Sequence, residues 1–178
     1  MGPYEGQTSI ITGNGKGKTT TALGIALQYW GRGKKVLILQ FIKGASEYGE
    51  LKASRTMGPD FDVIQVGLGF VGRATGDELT EHKNAARQAI EQAKKCITSG
   101  AADLIVLDEV LYCIKFGLIS TEDVIENMIK PKPASLALIL TGRDAPPSLI
   151  DLADIVIEAV EIKHHYQQGI KAQPGIEF

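Results

Sequence analysis

The sequence predicts a single α/β domain with a mostly parallel central sheet flanked by helices. Short apolar runs alternate with helical patterns along the chain, which is typical of consecutive β/α units. Some of these runs, such as residues 35–41 (K-V-L-I-L-Q-F), are apolar at successive positions, as expected of strands that are covered on both faces. A length of 178 residues suits one domain of this kind.

Six strands are predicted, because each apolar run is short and is bounded by glycine or polar residues. In chain order the strands cover residues 7–12, 35–41, 61–66, 103–107, 135–141 and 154–160. The tail after Glu161 is polar, and we expect it to lie over the edge or the mouth of the sheet.

Helical patterns fill most of the segments between the strands. The clearest covers residues 77–98, where apolar side chains recur at helical spacing and Gly100 follows the end. The first helix, residues 18–30, follows the first strand directly. Ser120 and Asp123 have the spacing of a capping box that opens a helix reaching about residue 129. Shorter helical segments are predicted at residues 47–53 and 147–152.

The composition excludes some classes of function. Lys and Arg number 19 against 21 Asp and Glu, so the net charge of −2 gives no indication of nucleic-acid binding. No apolar stretch reaches the ~20 residues needed to span a bilayer, and the N-terminus lacks the pattern of a signal peptide. Cys96 and Cys113 do not have the spacing of a metal site. We therefore expect a cytoplasmic protein with two reduced thiols and no membrane partner.

A glycine-rich turn joins the first predicted strand to the first helix, in residues 10–21 (I-I-T-G-N-G-K-G-K-T-T-T). Backbone N–H groups freed by glycine can wrap an anion, and the helix that follows adds the positive end of its dipole. Lys18 supplies a mobile cation for phosphate oxygens, and the Thr19 hydroxyl suits Mg²⁺. The turn therefore has the features of a phosphate-binding loop.

This loop is one residue shorter than the common phosphate-loop pattern. The common pattern puts four residues between its first glycine and the Gly-Lys pair. Here only Asn14, Gly15 and Lys16 separate Gly13 from Gly17. The difference indicates that the protein is not an ordinary ATPase.

Two further groups are predicted at the same edge of the sheet as the loop. Asp108 and Glu109 directly follow a buried apolar run, and a carboxylate in that position can hold Mg²⁺ directly or through water. An acidic strand end taken alone can equally be a solvated position, but beside the glycine loop it indicates binding of a nucleoside triphosphate. Arg143 also follows a strand, where it can neutralise a triphosphate or pair with a nearby carboxylate.

Residues 67–72 (G-L-G-F-V-G) formally match the glycine pattern of dinucleotide sites. Such a site needs a helix that begins inside the motif, but residues 73–76 intervene before the next helical pattern. We therefore interpret the segment as a loop that presents Phe70, either as an exposed aromatic platform or as a plug into the core.

Seven short segments of the chain carry a family resemblance. They are T-G-N-G-K-G-K-T-T at 12–20, Q-F-I-K-G at 40–44, G-E at 49–50, V-L-D-E at 106–109, T-G-R at 141–143, D-L-A-D at 151–154 and K-A-Q-P-G-I at 171–176. Together they resemble the P-loop class of ATP:corrinoid adenosyltransferases, which make adenosylcobalamin. The resemblance covers residues 7–178, includes the shortened loop, and implies a RecA-like P-loop domain.

The resemblance implies a transferase rather than a hydrolase. In that family the Co(I) of a corrinoid attacks the 5′ carbon of ATP, the 5′-deoxyadenosyl group moves to cobalt, and the whole triphosphate leaves. The nucleotide is then expected to lie reversed relative to ordinary phosphate-loop proteins, with its ribose facing out. No general base is needed, so stabilising charge on the departing triphosphate is the main catalytic task.

The resemblance also assigns roles to residues of this chain. Lys18 and Glu109 are the predicted catalytic residues, and Lys163 and His164 are possible contacts of the ribose or the tail. A further group of residues is predicted to bind the triphosphate of ATP and is called the ATP cradle. Its members are Gly13, Asn14, Gly15, Lys16, Gly17, Lys18, Thr19, Thr20 and Arg143. The ligands predicted for the Mg²⁺ cofactor are Thr19, Asp108 and Glu109.

Phe70 is predicted to face the corrinoid. The family carries a Phe and a Trp two residues apart on the corresponding loop, and here Gly72 is found in place of the Trp, which implies a more open corrinoid site. The resemblance also implies a homodimer and a reduced flavoprotein as electron donor. Two alternatives to the transferase stay open, namely a nucleotide-gated corrinoid carrier or sensor and a P-loop NTPase or kinase.

Overall fold

A parallel sheet organises the protein. The computed structural model describes residues 5–44, 48–72, 74–171, 173 and 175, with the side chain of Tyr166 outside the description. Within these residues the strands are β1 (Thr8–Thr12), β2 (Val36–Gln40), β3 (Phe61–Gln65), β4 (Leu104–Asp108), β5 (Ala137–Thr141) and β6 (Ile155–Glu158). Their order is β3-β2-β4-β5-β1-β6, and all neighbours run parallel. The predicted α/β class and its six strands are confirmed.

Helices connect the strands. They are α1 (Lys18–Trp30), α2 (Gly49–Ser54), α3 (Gly76–Thr98), α4 (Val110–Lys115), α5 (Thr121–Val124), which continues as a π-helical turn over Ile125–Ile129, and α6 (Pro147–Ile150). A 3₁₀ turn, His165–Gln168, lies in the tail. The predicted helices are confirmed, although the first residue of the predicted segment 47–53 lies outside the described residues.

Helix α4 was not predicted, because its sequence V-L-Y-C-I-K reads as a continuation of the apolar strand before it. The chain turns sharply at Glu109, whose φ of 62° lies in the left-handed region. That turn lets α4 start directly at the end of β4. It also places α4 beside the carboxyl edge of the sheet.

The core lies on both faces of the sheet. Neighbouring residues of a strand point to opposite faces, so Ile10 belongs to one buried cluster and Ile11 to the other. Helix α1 covers the cluster of Ile11 with Ala22 and Ala26. Helix α3 covers the other face with its buried stripe of Ala86, Ala89, Ile90, Ala93 and Ile97. With both faces covered, the strand ends are left for ligands.

Local signals behave as the sequence predicts. The capping box is present, because the Ser120 N–H donates to Asp123 Oδ2 (2.8 Å) and the Asp123 N–H donates to Ser120 Oγ (3.0 Å). No helix begins within residues 67–72, which agrees with rejecting a dinucleotide motif there. Cys96 and Cys113 are free thiols. Among the helices that the structure describes, none is long and apolar enough to cross a membrane.

The strand order brings polar strand ends together. The strand that leads into the glycine loop, β1, is separated from β4 by β5 alone, which is consistent with a RecA-like P-loop domain. Gln40 at the end of β2 lies opposite Asp108 at the end of β4. Thr141 ends β5 on the other side of β4. In parallel sheets, ligands bind at this carboxyl edge.

Candidate active site

The phosphate loop links β1 to α1 and packs against the chain that follows β6. Gly13 and Gly17 have φ values of 96° and 97°, which favour glycine. A Cβ on Gly13 or on Gly15 would lie 2.5 or 2.8 Å from the Ala159 carbonyl oxygen. The Gly15 N–H donates to that same oxygen at 2.6 Å. The loop therefore needs glycine at both positions for close backbone approach.

Helix α1 starts at the loop without a side-chain cap. Its N-cap is Gly17, which has no side chain that could accept from the N–H groups of the first turn. Four N–H groups at the start of a helix lack intrahelical partners, and the dipole makes this end attractive to anions. The start of α1 can therefore bind phosphate oxygens.

Lys18 is folded back into the loop. Its Nζ donates to the carbonyl oxygens of Gly13 (2.9 Å) and Gly15 (2.6 Å). Burial and the positive charge of Arg143 lower the pKa of Lys18, and the Glu109 carboxylate offsets part of this effect. The structure thus places Lys18 and Arg143 near each other, as the sequence predicts.

Arg143 carries a polar group in need of a partner. Its Nε is buried and has no hydrogen-bond partner among the described residues. A buried donor of this kind is costly until an acceptor reaches it. Since Lys18 already repels Arg143, an anion between them would stabilise both side chains.

Asp108 is the centre of the site, and its side chain is fully buried. Its Oδ1 accepts from the hydroxyl groups of Thr19 and Thr141, both at 2.8 Å. Its Oδ2 has longer contacts, 3.4 Å to Gln40 Nε2 and 3.6 Å to Lys43 Nζ. The loop threonine and the strand-end carboxylate are therefore in direct contact, and their predicted role as Mg²⁺ ligands stays a prediction.

Gln40, Lys43, Glu50 and Thr141 are site residues that the sequence interpretation missed. Lys43 forms an ion pair with Glu50, and Gln40 Nε2 donates to Glu50 Oε1 at 3.0 Å. Gln40 was marked in the sequence as the one polar residue within the apolar end of the predicted strand 35–41. The segments Q-F-I-K-G and G-E marked the family resemblance, but they carried no assigned chemistry.

The carboxyl group of Glu109 is unusually hard to ionise. Burial, together with the negative charges of Asp108 and Glu50, raises the pKa of Glu109 to about 7, although Lys43 and Lys18 act in the opposite direction. The Glu109 N–H donates to Thr141 Oγ1 at 2.8 Å, which holds its backbone at the end of β4. Two adjacent acidic groups therefore share one buried site and would be stabilised by a further cation.

The Glu109 carboxyl group makes the stability of the ligand-free protein depend on pH. Between pH 4.5 and about 7 the folded protein holds a proton that the unfolded chain releases. The free energy of unfolding should therefore fall as the pH rises through this range, by on the order of 1 kcal/mol per pH unit. Urea denaturation of the wild type and of Glu109→Gln at several pH values measures the difference between them.

The Glu109→Gln variant serves as its own control, because every other titrating group is retained. We expect the difference in unfolding free energy between variant and wild type to grow from pH 5 to pH 7 and to level off above. Parallel pH profiles of the two proteins would contradict the raised pKa of Glu109.

Three aromatic rings form a row between α4 and the loop of residues 67–72. Phe70 is exposed (76 %) rather than inserted into the core, so the platform interpretation holds and the plug interpretation is wrong. Its ring contacts Phe116 edge to face at 6.2 Å, and Phe116 stacks on Tyr112 at 5.8 Å. Phe116 and Tyr112 were missed because helix α4 was missed. The row offers a broad apolar surface beside Gly72.

Some of the predicted site residues interact with one another in the structure, and others do not. Lys18, Thr19, Asp108, Glu109 and Arg143 interact with one another directly or through their charges. The side chains of Asn14, Lys16 and Thr20 are exposed around the loop, and Lys163 is exposed in the tail. The His164 ring stacks on His165 with centroids 4.7 Å apart. The contact of Lys163 and His164 with ribose stays a prediction.

Comparison with known proteins gives one consistent family. Residues 4–178 match the family model described as "ATP:corrinoid adenosyltransferase BtuR/CobO/CobP". The chain is 34 % identical over 171 residues to the corrinoid adenosyltransferase of Escherichia coli (strain K12), covering 95 % of this chain and 84 % of that protein. It is 36 % identical over 170 residues to the corrinoid adenosyltransferase CobA of Salmonella typhimurium (strain LT2), with the same coverage. The corresponding protein of Pseudomonas aeruginosa is 35 % identical over 169 residues.

Proposed function

The chain belongs to the ATP:corrinoid adenosyltransferase family, and from this premise we propose how its residues transfer the 5′-deoxyadenosyl group of ATP to a corrinoid. The observation that carries the proposal is the carboxyl edge of the sheet. The shortened phosphate loop lies there beside the buried Asp108. Two neighbouring cations, Lys18 and Arg143, lie at the same place. This set of groups suits a bound triphosphate with its counter-ion.

The loop and its two cations are proposed to bind the triphosphate as a leaving group. Lys18 can leave the loop carbonyls for phosphate oxygens, which are stronger acceptors for an ammonium group. Arg143 gains the acceptor that its buried Nε lacks. The N–H groups at the start of α1 complete the cradle.

The reaction is proposed to be a displacement at the sugar carbon. The Co(I) of the reduced corrinoid donates an electron pair to C5′ of ATP, and a Co–C bond forms. The C5′–O bond breaks, and its electrons leave with the triphosphate. No proton has to be removed, so the protein accelerates the step by holding C5′ towards the corrinoid and by stabilising the departing charge.

The residues around Asp108 suit a Mg²⁺ ion. Hydroxyl and carboxylate oxygens are the ligands that Mg²⁺ prefers, and it usually takes only one or two carboxylates besides phosphates and water. Thr19 and Asp108 would hold it, with Glu109 beside them. The buried Gln40 Oε1 has no partner in the described part of the chain and could accept from a metal-bound water. When bound, Mg²⁺ would neutralise charge on the triphosphate.

Phe70 is proposed to contact the corrinoid, because its exposed ring heads the row formed with Phe116 and Tyr112. We expect Phe70→Ala to raise the KM for the corrinoid about tenfold, since burial of a phenyl ring against an apolar ligand is lost. The KM for ATP should stay unchanged. Steady-state kinetics with each substrate varied in turn separates the two constants.

The control for Phe70 is Leu27→Ala, which removes an exposed apolar side chain from α1. It should change neither constant. Equal increases of both KM values in Phe70→Ala would show that the ring does not act on the corrinoid alone.

The protein is further proposed to form a homodimer and to receive electrons from a partner protein. Strand β6 pairs only with β1 in the sheet that the structure describes, and its side chains are exposed, which suits a homodimer contact. An electron donor of the reduced flavoprotein class would supply Co(I). The two free thiols suit the cytoplasm. Sedimentation of the purified protein tests the dimer.

The decisive experiment is product analysis. The full chain is incubated with ATP, Mg²⁺ and chemically reduced cobalamin, and the visible spectrum and the phosphate products are followed. A Co–C bond and one triphosphate per turnover are expected. Formation of ADP would show a hydrolase or kinase, and binding without either product would show a carrier; each result would refute the transferase.

A further inference from the structure

Lys43 is the buried cation next to Asp108. Its side chain is 14 % exposed, and its Nζ forms an ion pair with Glu50 while lying 3.6 Å from Asp108 Oδ2. The ring of Tyr48 also contacts the ammonium group, with 4.7 Å from Nζ to the ring centroid. Among the described residues, Lys43 is therefore held by two carboxylates and one ring, and Asp108 is the more distant of the two carboxylates.

The two oxygens of Asp108 are bound very differently. Oδ1 accepts two short hydrogen bonds from hydroxyl groups, at 2.8 Å each. Among the described residues, Oδ2 has the 3.4 Å contact with Gln40 and the 3.6 Å contact with Lys43 and no shorter one. At 3.6 Å the lysine balances charge without a well-formed hydrogen bond. Oδ2 can therefore bind another cation without the loss of a short hydrogen bond.

Two cations would compete for the Asp108 carboxylate when a divalent metal is bound. A metal ion held by Asp108 would share this carboxylate with the Lys43 ammonium group, and two cations on one buried carboxylate repel each other. Lys43 does not become unpaired by moving away, because Glu50 and the Tyr48 ring retain it. The Glu50 ion pair and the Tyr48 ring therefore keep the Lys43 charge balanced without Asp108.

We propose that Lys43 is an internal counter-ion that balances Asp108 while metal is absent and that yields this carboxylate to the divalent cation arriving with ATP. The inference rests on the metal role proposed for Asp108 and Thr19. It makes Lys43 the residue that sets how much Mg²⁺ the enzyme requires. It also explains why a buried carboxylate next to Glu109 is tolerated in the metal-free protein.

The test is a Mg²⁺ titration of ATP binding, followed by thermal unfolding. ATP is kept saturating and the corrinoid is left out, so that no transfer takes place. Without its competing charge, Lys43→Met should reach half-maximal stabilisation at about three- to tenfold less Mg²⁺ than the wild type. In EDTA without nucleotide, its unfolding midpoint should lie below that of the wild type, because Asp108 has lost its counter-ion.

Two variants make the comparison specific. Lys130→Met removes a lysine of an exposed ion pair with Glu126 (2.6 Å) and should leave the Mg²⁺ requirement unchanged. Lys43→Arg keeps the charge and should retain the wild-type requirement. If Lys43→Met does not fold, Lys43→Gln, which keeps a donor for Glu50, provides the same measurement.

The outcomes separate this inference from the proposed function. An unchanged or higher Mg²⁺ requirement in Lys43→Met overturns the inference. So does weaker ATP binding at every Mg²⁺ concentration, which would make Lys43 a phosphate ligand. A wild-type protein that adenosylates the corrinoid but binds ATP independently of Mg²⁺ overturns the metal site and this inference with it, while the transfer activity stands. A wild type without transfer overturns the proposed function.

Discussion

Replacing Lys18 by alanine should lower kcat/KM for ATP by about 10²–10³-fold, the typical cost of removing one preorganised group that stabilises developing charge. The leaving group carries several negative charges, and Lys18 is the loop cation already placed inside the cradle. In the part of the chain that the structure describes, Lys18 Nζ donates to two backbone carbonyls, so its loss should affect the reaction far more than the fold. Initial rates of Co–C bond formation at varied ATP measure the effect.

The matched control for Lys18 is Lys35→Ala. Lys35 is exposed and directly precedes β2, at the end of the sheet opposite the loop. Its removal should leave the rate unchanged. A Lys18→Ala enzyme that retains its rate within a factor of a few would show that the loop does not stabilise the leaving group.

Replacing Asp108 by asparagine should reduce metal affinity and kcat/KM together, by about 10–100-fold, as is common for groups that hold or orient a metal ligand. Asparagine preserves the shape of the side chain, so Thr19 and Thr141 can still donate to its oxygen. The charge is lost, and with it the attraction for Mg²⁺. Transfer rates at a series of Mg²⁺ concentrations should show the deficit shrinking as Mg²⁺ rises.

Asp103→Asn is the control for Asp108, because Asp103 directly precedes the same strand at its other end. There it pairs with Lys34 at 3.0 Å, and both side chains are substantially exposed. Its substitution should change the rate little, since surface ion pairs contribute little. An Asp108→Asn enzyme with the wild-type dependence on Mg²⁺ would exclude Asp108 from the metal site.

The parts of the fold that could be predicted are those with a strong local signal. Strands such as β4 are continuous apolar runs, and α3 has a long stripe at helical spacing. Helix α4 could not be predicted in the same way. Its six residues have the composition of a strand. Its start depends on a left-handed backbone conformation at Glu109, which no local sequence pattern predicts.

The site residues also differ in whether a local pattern in the sequence marks them. Lys18 and Thr19 lie in a glycine motif whose spacing indicates phosphate binding, and Asp108 ends an apolar run that gains its meaning from that motif. Gln40 and Thr141 meet Asp108 only because β2 and β5 are the two neighbours of β4. Strand order arises from long-range packing, so residues far apart in the chain gave no sign that they would contact the same carboxylate.

The contact between the phosphate loop and the backbone beyond β6 bears on protein engineering. The Gly15 amide is hydrogen-bonded to the Ala159 carbonyl oxygen, and a Cβ on Gly13 or Gly15 would collide with that oxygen. The loop therefore does not fold independently of the chain that follows β6. Grafting a standard-length loop from a kinase into this scaffold would insert a residue where residues 158–160 already lie. A designer would have to reshape the outer strand at the same time as the loop.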